Sequence, residues 1–359
     1  MINLIDYGFM PTMMSEYAEG ILARVTAVHK ERYELISERG QIYGKLKASV
    51  FFNTQSEQYE LFPTTGDFVV IQLNPNGDSL ILKTFSRGTF FSRRAVVSRL
   101  DTKNSGGEQA VAANFDYVFI MSSLNHDFNP RRIERYLTLA WQSGAIPVIV
   151  LTKADLVDDY DTQIDDMRRV AVGVDIVAVS TVDGQGLELL NEYIKPRKTI
   201  VFLGSSGVGK SCLVNAIAGE AVMAVNTIRE DDSKGKHTTT HRQLIMLKSG
   251  AMIIDTPGMR ELGMFDVSEG IGDAFADVAE YFGGCRFSDC KHNREPGCAV
   301  RLAIECGELP EERWQSYLKL KKEARYADDK DAFMRERQER CKAGAIWHRK
   351  NKKNGADKR

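Results

Sequence analysis

The chain has no long apolar run and no strong excess of charge of either sign. In 359 residues, no segment reaches the roughly 18 continuous apolar residues of a membrane span, and the first seven residues lack the basic stretch of a signal peptide. Lysine and arginine (48) nearly balance aspartate and glutamate (49). These absences argue against a membrane protein and against an overall basic nucleic-acid-binding protein. We therefore expect a cytoplasmic protein in which any RNA contact comes from local basic patches. We also predict a monomer, although nothing in the composition decides the oligomeric state.

Cysteine is also scarce, and its few residues are unevenly placed. Half of the six cysteines, with one histidine, form the pattern C-x4-C-x-H-x5-C at Cys285, Cys290, His292 and Cys298. Three thiolates and one imidazole form a closed tetrahedral Zn²⁺ set, which leaves no open position for a hydrolytic water. In a cytoplasmic chain, such clustering favours metal ligands over disulfides or ordinary buried cysteines. We predict one structural zinc ion here, and we interpret the isolated Cys212, Cys306 and Cys341 as structural.

A phosphate-binding loop is the clearest motif that the chain does contain. Residues 204–211 match G-x-x-x-x-G-K-S/T between a predicted strand, 199–203, and a predicted helix, 212–219, a context that argues against a chance glycine-rich turn. Glycines let backbone N–H groups close around phosphates, and the helix N-terminus adds partial positive charge. Lys210 can bridge the outer phosphates, and the Ser211 hydroxyl can bind Mg²⁺. The predicted nucleotide-binding residues of this segment are Gly204, Ser205, Ser206, Gly207, Val208, Gly209, Lys210, Ser211 and Cys212.

A second phosphate-side element follows the loop. The run 251–258 predicts a strand that ends in Asp255-Thr-Pro-Gly258. Asp255 would hold the Mg²⁺ shell, and the Gly258 N–H would face the γ-phosphate. Between the loop and this strand lies the polar segment 234–240, in the place of a switch loop. We predict that Thr239 completes the Mg²⁺ coordination in the triphosphate state.

A guanine-recognition element precedes the phosphate loop. The predicted strand 146–151 leads into Thr152-Lys153-Ala154-Asp155, which matches T/N-K-x-D. The Asp155 carboxylate can accept from guanine N1–H and N2–H₂, a pair that adenine does not offer, and the Lys153 stem can pack along the base. This four-residue motif is weak alone and gains strength from its place after an apolar strand, because ligands of open α/β sheets bind beyond the carboxyl ends of strands.

A further strand supports the same pocket and shows the unusual order. Strand 177–179 ends at Ser180 and Thr181, whose backbone N–H groups we predict to contact guanine O6. A T/N-K-x-D element normally follows the phosphate loop, and here it comes first. This order indicates a circularly permuted nucleotide-binding domain, which is physically cheap because domain termini often lie close together. Alternating strands and helices from Tyr117 onward, including a helix at 130–141, predict a mostly parallel sheet.

The two ends of the chain differ from this α/β region. Residues 18–84 predict about five short strands separated by turns, as in a small OB-fold barrel. Such barrels often bind RNA by stacking and basic loops, although for Tyr43 and Phe68 core packing is favoured. The connector 86–107 is either a linker or part of an RNA-facing surface, and its arginines are Arg87, Arg93, Arg94 and Arg99. The basic tail 340–359 suggests RNA contact through phosphates, with a merely solvated end as the alternative.

The permuted order, the segment Gly235-Lys-His237-Thr-Thr-Thr240 and the flanking regions resemble the small-ribosomal-subunit-dependent, circularly permuted GTPases of the RsgA/YjeQ type over nearly the whole chain. The resemblance implies GTP or GDP with Mg²⁺, a zinc domain, and the 30S ribosomal subunit and its 16S rRNA as partners. We predict a barrel with an N-terminal extension over 1–95, a permuted P-loop GTPase domain over 96–268, and an α-rich zinc-binding domain with a basic tail over 269–359. Thr152 departs from the family's usual Asn, so we expect reduced guanine affinity with retained selectivity through Asp155.

The catalytic prediction rests on the residue that follows the D-T-P-G segment. Met259 follows the D-T-P-G segment, where Ras-like enzymes place a water-orienting glutamine, so the intrinsic rate should be low or another residue must act. His237 is the predicted catalytic residue, because it lies in the switch, titrates near neutrality and matches the family pattern; Arg260 ranks below it, and a structural or RNA-contact role for His237 is the alternative. We predict a GTP-hydrolysing factor for late 30S maturation, stimulated by the subunit. The alternatives are a nucleotide-gated RNA-binding module with incidental turnover, and an ATPase.

Overall fold

The structure is a computed structural model that describes residues 2–16, 20–29, 32–47, 62–94, 108–125, 128–223, 242–255, 271, 274–293 and 295–328. The predictions for His237, Thr239, Gly258, Met259 and Arg260, and for Cys341 and the basic tail, fall outside these residues. The chain divides into two compact units, residues 1–263 and residues 264–359. None of the helices within the described ranges is both long and apolar enough to span a bilayer.

The first unit begins with a closed five-stranded barrel, as predicted. Its strands are β1 (Ile21–His29), β2 (Arg32–Ser37), β3 (Gly40–Leu46), β4 (Phe68–Gln72) and β5 (Ser79–Thr84). Strand β1 pairs antiparallel with both β2 and β4, while β5 pairs parallel with β3 and antiparallel with β4, which closes the barrel. Inward-facing apolar side chains such as Val25, Leu35 and Ile71 fill its interior. The N-terminal segment packs Leu4 and Phe9 against Phe68 and its neighbours, which extends the core on another side.

The same unit continues into an α/β sheet. An antiparallel pair, β6 (Phe90–Arg94) and β7 (Glu108–Ala113), leads into it. The sheet strands are β8 (Tyr117–Ser123), β9 (Ile146–Thr152), β10 (Asp175–Val179), β11 (Thr199–Gly204), β12 (Gln243–Met246) and β13 (Met252–Asp255). Their order is β10-β9-β8-β11-β13-β12, and all pairings are parallel except that of β12 with β13.

Among the described residues, three α-helices accompany this sheet, namely α1 (Pro130–Gln142), α2 (Asp161–Val170) and α3 (Lys210–Ala218). Helix α1 is capped by the Asn129 side chain, which accepts from the Arg132 backbone N–H at 3.1 Å. The strands are nearly continuous apolar runs, and residues 148–151 are fully buried. Such strands are typical of a parallel sheet that is covered on both faces.

A buried arginine joins the barrel to the α/β sheet. Strand β1 pairs with β12 at Ala27 and Gln243, so the barrel and the sheet share one hydrogen-bonded edge. Close by, the Arg24 guanidinium, 1% exposed, donates to Thr199 Oγ1 at 3.2 Å in β11. It also donates to the carbonyl oxygens of Tyr7, Gly66 and Asn114. Burial lowers the pKa of Arg24 to about 10. This value is still well above neutral pH, so the guanidinium stays charged.

One prediction for this region needs correction, and one open alternative is excluded for a single arginine. Phe68 is buried as predicted, but Tyr43 is 39% exposed because it lies on the outer face of β3. Arg87 does not belong to an RNA-facing surface: its side chain is 9% exposed and pairs with the buried Asp67 carboxylate at 2.8 Å. A buried carboxylate needs a cation beside it, which accounts for this arginine. The side chains of Arg93, Arg94 and Arg99 lie outside the described part of the chain.

The second unit is rich in helices, as predicted. Its helices are α4 (Ala276–Ala279), α5 (Ala299–Glu305) and α6 (Glu311–Asp328), with a 3₁₀ turn at Phe282–Gly284. Phe275, Val300 and Trp314 are among its buried side chains. Arg313 on α6 lies 4.0 Å above the Phe275 ring and pairs with Asp277 at 2.8 Å. These contacts fasten α6 to the segment before the cysteine cluster.

Candidate functional site

The carboxyl ends of five parallel strands meet at one edge of the α/β sheet. Strands β9, β11 and β13 end at Thr152, Gly204 and Asp255, and Ser180 follows β10 directly. Strand β8 lies between β9 and β11. The predicted motifs are therefore brought to one edge although long stretches of chain separate them, and this edge is where open α/β sheets bind ligands.

The phosphate loop fits closely against the neighbouring strand. A Cβ atom added to Gly204 would lie 3.0 Å from the Met121 carbonyl oxygen of β8 and 3.1 Å from Val208 Cγ1. Gly209 has a φ of +99°, in the left-handed region that disfavours other residues. Helix α3 begins at the next residue and directs its N-terminus toward the loop, where backbone N–H groups attract anions. Ser206 and Gly207 are exposed, so the loop is open to solvent.

An ion pair connects the loop to strand β13. Lys210 Nζ donates to Asp255 Oδ1 at 2.7 Å, and Asp255 is only 4% exposed. Ser211 follows Lys210 in the first turn of α3 and is partly buried. The lysine predicted for the phosphates thus meets the carboxylate predicted for the Mg²⁺ shell, and the residue predicted to bind Mg²⁺ through its hydroxyl is the next one in the chain.

The T-K-A-D segment also contacts the loop directly. Thr152 Oγ1 donates to the Val208 carbonyl oxygen at 2.6 Å, and a Cβ atom added to Gly209 would lie 3.9 Å from Thr152. Lys153 adopts a left-handed conformation with a φ of +61° and is followed by a short 3₁₀ turn, Ala154–Leu156. Asp155 is exposed on this turn. The threonine hydroxyl therefore holds the T-K-A-D segment against the phosphate loop.

Ser180, the first of the two residues predicted after β10, is hydrogen-bonded within its own loop. The Ser180 backbone N–H donates to the Gln185 carbonyl oxygen at 2.9 Å, and Ser180 Oγ accepts from the Val182 N–H at 3.2 Å. Ser180 thus closes its own loop, and its N–H is committed within the chain. The contact of the Thr181 N–H with guanine O6 stays a prediction.

The second unit contains a compact cluster of metal-ligand residues. The ligand atoms of Cys285, Cys290, His292 and Cys298 all lie within 4.8 Å of one another. His292 Nδ1 is 3.4 Å from Cys285 Sγ and 3.5 Å from Cys298 Sγ. The His292 ring stacks on Phe282, and burial holds the pKa of His292 below its usual value, so its nitrogen is a neutral ligand at neutral pH. Three thiols and one imidazole at these distances can hold a single metal ion.

Comparison with known proteins identifies the family of this chain. A family model described as RsgA GTPase matches residues 90–265. A Listeria monocytogenes protein named small ribosomal subunit biogenesis GTPase RsgA 1 is 46% identical over 317 residues, which are 88% of this chain and 87% of that protein. The chain belongs to the RsgA GTPase family. The resemblance inferred from the permuted motifs is thereby confirmed.

Solved structures extend the RsgA assignment to the fold. The chain is similar to YjeQ from Thermotoga maritima, with 28% identity and a TM-score of 0.60 over 84% of this chain and 96% of that one. It is also similar to YloQ, described as a circularly permuted GTPase, with 25% identity and a TM-score of 0.57 over 86% of this chain and 96% of that one. The predicted fold class, with a barrel, a permuted α/β domain and a C-terminal Cys/His cluster, is confirmed.

Two residues of this RsgA-family chain have structural roles that the sequence analysis did not predict. Asn215 on α3 exchanges two hydrogen bonds of 2.8 Å with the backbone of Met223, where the chain leaves toward the switch segment. No motif marks this asparagine. Arg24 was detectable in principle, because it interrupts the apolar run Ile21-Leu-Ala-Arg-Val25 with a charge.

Proposed function

We propose that this chain hydrolyses GTP and acts as an assembly factor in late maturation of the 30S ribosomal subunit, where it binds 16S rRNA. The relatives that it matches carry the name small ribosomal subunit biogenesis GTPase. The observation that carries the nucleotide part of the proposal is the sheet edge at which Lys210 meets Asp255 and Thr152 meets Val208. As a ribosome assembly factor, the protein would work in the cytoplasm as a monomer.

Each residue at this edge has a distinct proposed task toward GTP and Mg²⁺. The backbone N–H groups of the phosphate loop hold the phosphates, and Lys210 exchanges its pairing with Asp255 for the outer phosphates. Ser211, Asp255 and the switch residue Thr239 would hold the Mg²⁺ ion, which would neutralise phosphate charge. The Asp155 carboxylate selects guanine, and the Lys153 stem supports the base.

Catalysis is assigned to the switch segment. Phosphoryl transfer to water needs a positioned water and neutralised charge, and Met259 cannot orient a water. We assign the positioning of this water to His237, and we assign the Gly258 N–H to the γ-phosphate. His237 lies in the segment before β12, and Gly258 lies in the segment after β13. Ordering of these two segments by rRNA would hold both groups in place and would therefore accelerate turnover.

The cluster at Cys285, Cys290, His292 and Cys298 is proposed as a structural zinc site. Thiolates are soft ligands that favour zinc, and four protein ligands leave no coordination position for substrate. In this site the ion would stabilise the second unit and would take no part in hydrolysis. Three domains, at 1–95, 96–268 and 269–359, remain our proposed division of the chain by function.

Comparison of GTP turnover with and without purified 30S subunits tests the proposal, with 50S subunits as the matched particle control. We expect stimulation by 30S only, and we expect His237→Ala to retain GDP affinity while it loses the stimulated rate by about 10²-fold or more. Equal turnover with and without 30S would favour the nucleotide-gated RNA-binding module. Retention of stimulation by His237→Ala would instead remove the catalytic role from this histidine.

A further inference from the structure

One ligand of the Cys/His cluster has a backbone conformation that is uncommon for a residue with a side chain. His292 has a φ of +58°, in the left-handed region. Residues other than glycine are rare there, and they keep this conformation only where the surrounding contacts fix it. Since the imidazole must point at three thiols to complete the cluster, we looked for the contacts that fix the backbone at this position.

A carboxylate near the cluster holds the backbone on both sides of this histidine. Glu295 Oε2 accepts from the Asn293 backbone N–H at 2.8 Å, and Glu295 Oε1 accepts from the Lys291 backbone N–H at 3.2 Å. Lys291 and Asn293 are the two neighbours of His292 in the chain. One partly buried side chain thus bridges the peptide groups that flank a candidate metal ligand.

The segment that carries this carboxylate is fastened to the chain beside the first cysteine of the cluster. The Gly297 carbonyl oxygen accepts from the Arg286 backbone N–H at 3.0 Å, and Arg286 directly follows Cys285. Gly297 has a φ of +75°, and a Cβ atom added to it would lie 3.0 Å from Arg286 Cβ. This close approach restricts where Glu295 can lie, so its carboxylate is directed at the two N–H groups by the fold of the loop.

The imidazole ring is held separately, by two aromatic side chains. Phe282 stacks on the His292 ring with the ring centres 4.8 Å apart, and Trp314 meets it edge-on at 5.8 Å. These rings restrain the plane of the imidazole but leave its backbone to other contacts. The cluster therefore has separate supports for the ring and for the backbone of the same residue, and Glu295 provides the second.

We propose that Glu295 is a positioning residue of the metal site, which holds the His292 backbone so that Nδ1 is directed at the ion. The inference rests on the proposed zinc site, in which the ion would bind three thiolates and one imidazole. Both oxygens of the Glu295 carboxylate accept from backbone N–H groups, so the residue acts through His292 and is not a further ligand. Groups outside the ligand set control metal affinity in this way, because they orient a ligand before the ion binds.

Zinc affinity of the full-length chain tests the proposal, measured by competition with a chromophoric chelator under reducing conditions. We expect Glu295→Ala to weaken Zn²⁺ binding about 10- to 100-fold. Glu295→Gln keeps one acceptor oxygen for the two N–H groups and should lose less affinity than Glu295→Ala. The matched control is Glu308→Ala, at an exposed glutamate of the same unit, which should stay within about two-fold of the unmodified chain.

A double-mutant cycle separates the positioning of His292 from a general effect on the fold. His292→Ala removes the imidazole, so Glu295→Ala should weaken Zn²⁺ binding by no more than about two-fold in that background. Cobalt(II) in place of zinc gives a second measurement, because its d–d absorption depends on the ligand set. The d–d bands of Glu295→Ala should shift toward those of His292→Ala.

Three outcomes would overturn the inference. Unchanged zinc affinity of Glu295→Ala would show that the carboxylate does not position the ligand. Equal losses with and without His292 would show that Glu295 supports the fold of the unit and does not act through the imidazole. Failure of the unmodified chain to bind zinc would overturn the zinc site itself and this inference with it, an outcome that differs from the first two because the unmodified chain binds zinc in both of those.

Discussion

The four residues of the candidate metal cluster lie between Cys285 and Cys298 in one short stretch of chain, whereas the candidate nucleotide site collects residues from Thr152 to Asp255 through the strands of a sheet. The first site needs only a local fold around its ligands. The second depends on strand order, on the packing of the whole sheet and on the barrel contacts beside it. Permutation is tolerated in the second site because the position of a strand in the sheet, and not its position in the chain, brings each residue to the edge.

The largest expected effect comes from removing the metal, which should change the stability of the second unit and leave GDP binding by the first unit intact. We expect Cys298→Ala to lose the zinc content of the chain and, with it, on the order of 10 kcal/mol of metal-binding free energy that holds the second unit together. Metal content by mass spectrometry and circular dichroism measure this loss. GDP affinity should persist, because the nucleotide residues lie in the first unit.

The control for this variant is Cys306→Ser, which changes an exposed cysteine outside the cluster. It should retain one zinc ion per chain. A Cys298→Ala protein that keeps its full zinc content would show that the cluster is not a metal site.

The next effect tests how far the stability of the first unit depends on the contact between the barrel and the α/β sheet. Arg24→Met removes the donor shared by Gly66, Asn114 and Thr199 and leaves buried acceptors unpaired. We expect a loss of about 3–5 kcal/mol in the free energy of unfolding of the first unit. Urea denaturation followed by fluorescence measures it, and the zinc content should stay unchanged.

Arg39→Met, at an exposed arginine on the β2–β3 turn, is the matched control and should stay within about 0.5 kcal/mol. If Arg24→Met unfolds at the same urea concentration as the unmodified chain, the buried guanidinium does not join the barrel to the sheet.

A smaller effect is expected where the nucleotide site meets the base. Asp155→Asn exchanges the carboxylate for an amide and should weaken GDP binding about 10- to 150-fold, since hydrogen bonds to a charged group contribute about 1.5–3 kcal/mol. The same substitution should increase the affinity for xanthosine diphosphate. Calorimetric titration with both nucleotides measures the exchange, and unchanged affinity for GDP would favour the ATPase alternative.

The smallest effect concerns the contact between the two halves of the permuted site. Thr152→Val keeps the shape of the side chain but removes the hydroxyl that donates to the Val208 carbonyl oxygen at 2.6 Å. We expect GDP affinity to fall about five-fold, which corresponds to about 1 kcal/mol for one hydrogen bond.

Thr152→Ser keeps the donor and should restore most of this affinity. Thr152→Asn introduces the residue that is usual in the family and should bind GDP more tightly than the unmodified chain. Equal affinities across all three variants would show that this contact does not couple the base segment to the phosphate loop.

Local patterns predicted the elements of both sites closely. The strand and helix around the phosphate loop were expected at 199–203 and 212–219 and lie at Thr199–Gly204 and Lys210–Ala218. The barrel strands were also predicted, because turn sequences and apolar runs separate them. The strand β6 and the burial of Arg87 were missed, because a charged, polar segment gives no periodic signal and its buried partner, Asp67, lies 20 residues away.

By itself, the sequence determined the motifs, the order in which they follow one another, and the four candidate metal ligands, since each motif consists of residues that are neighbours in the chain. Only the tertiary structure decided that Thr152 donates to Val208, that the Ser180 N–H closes its own loop, and that Arg24 joins the barrel to β11. These contacts join residues that come together only when the strands have paired and the core is closed. The exposure of Tyr43 was decided at the same level, because the face of a barrel strand that points outward is set by the packing of the other face.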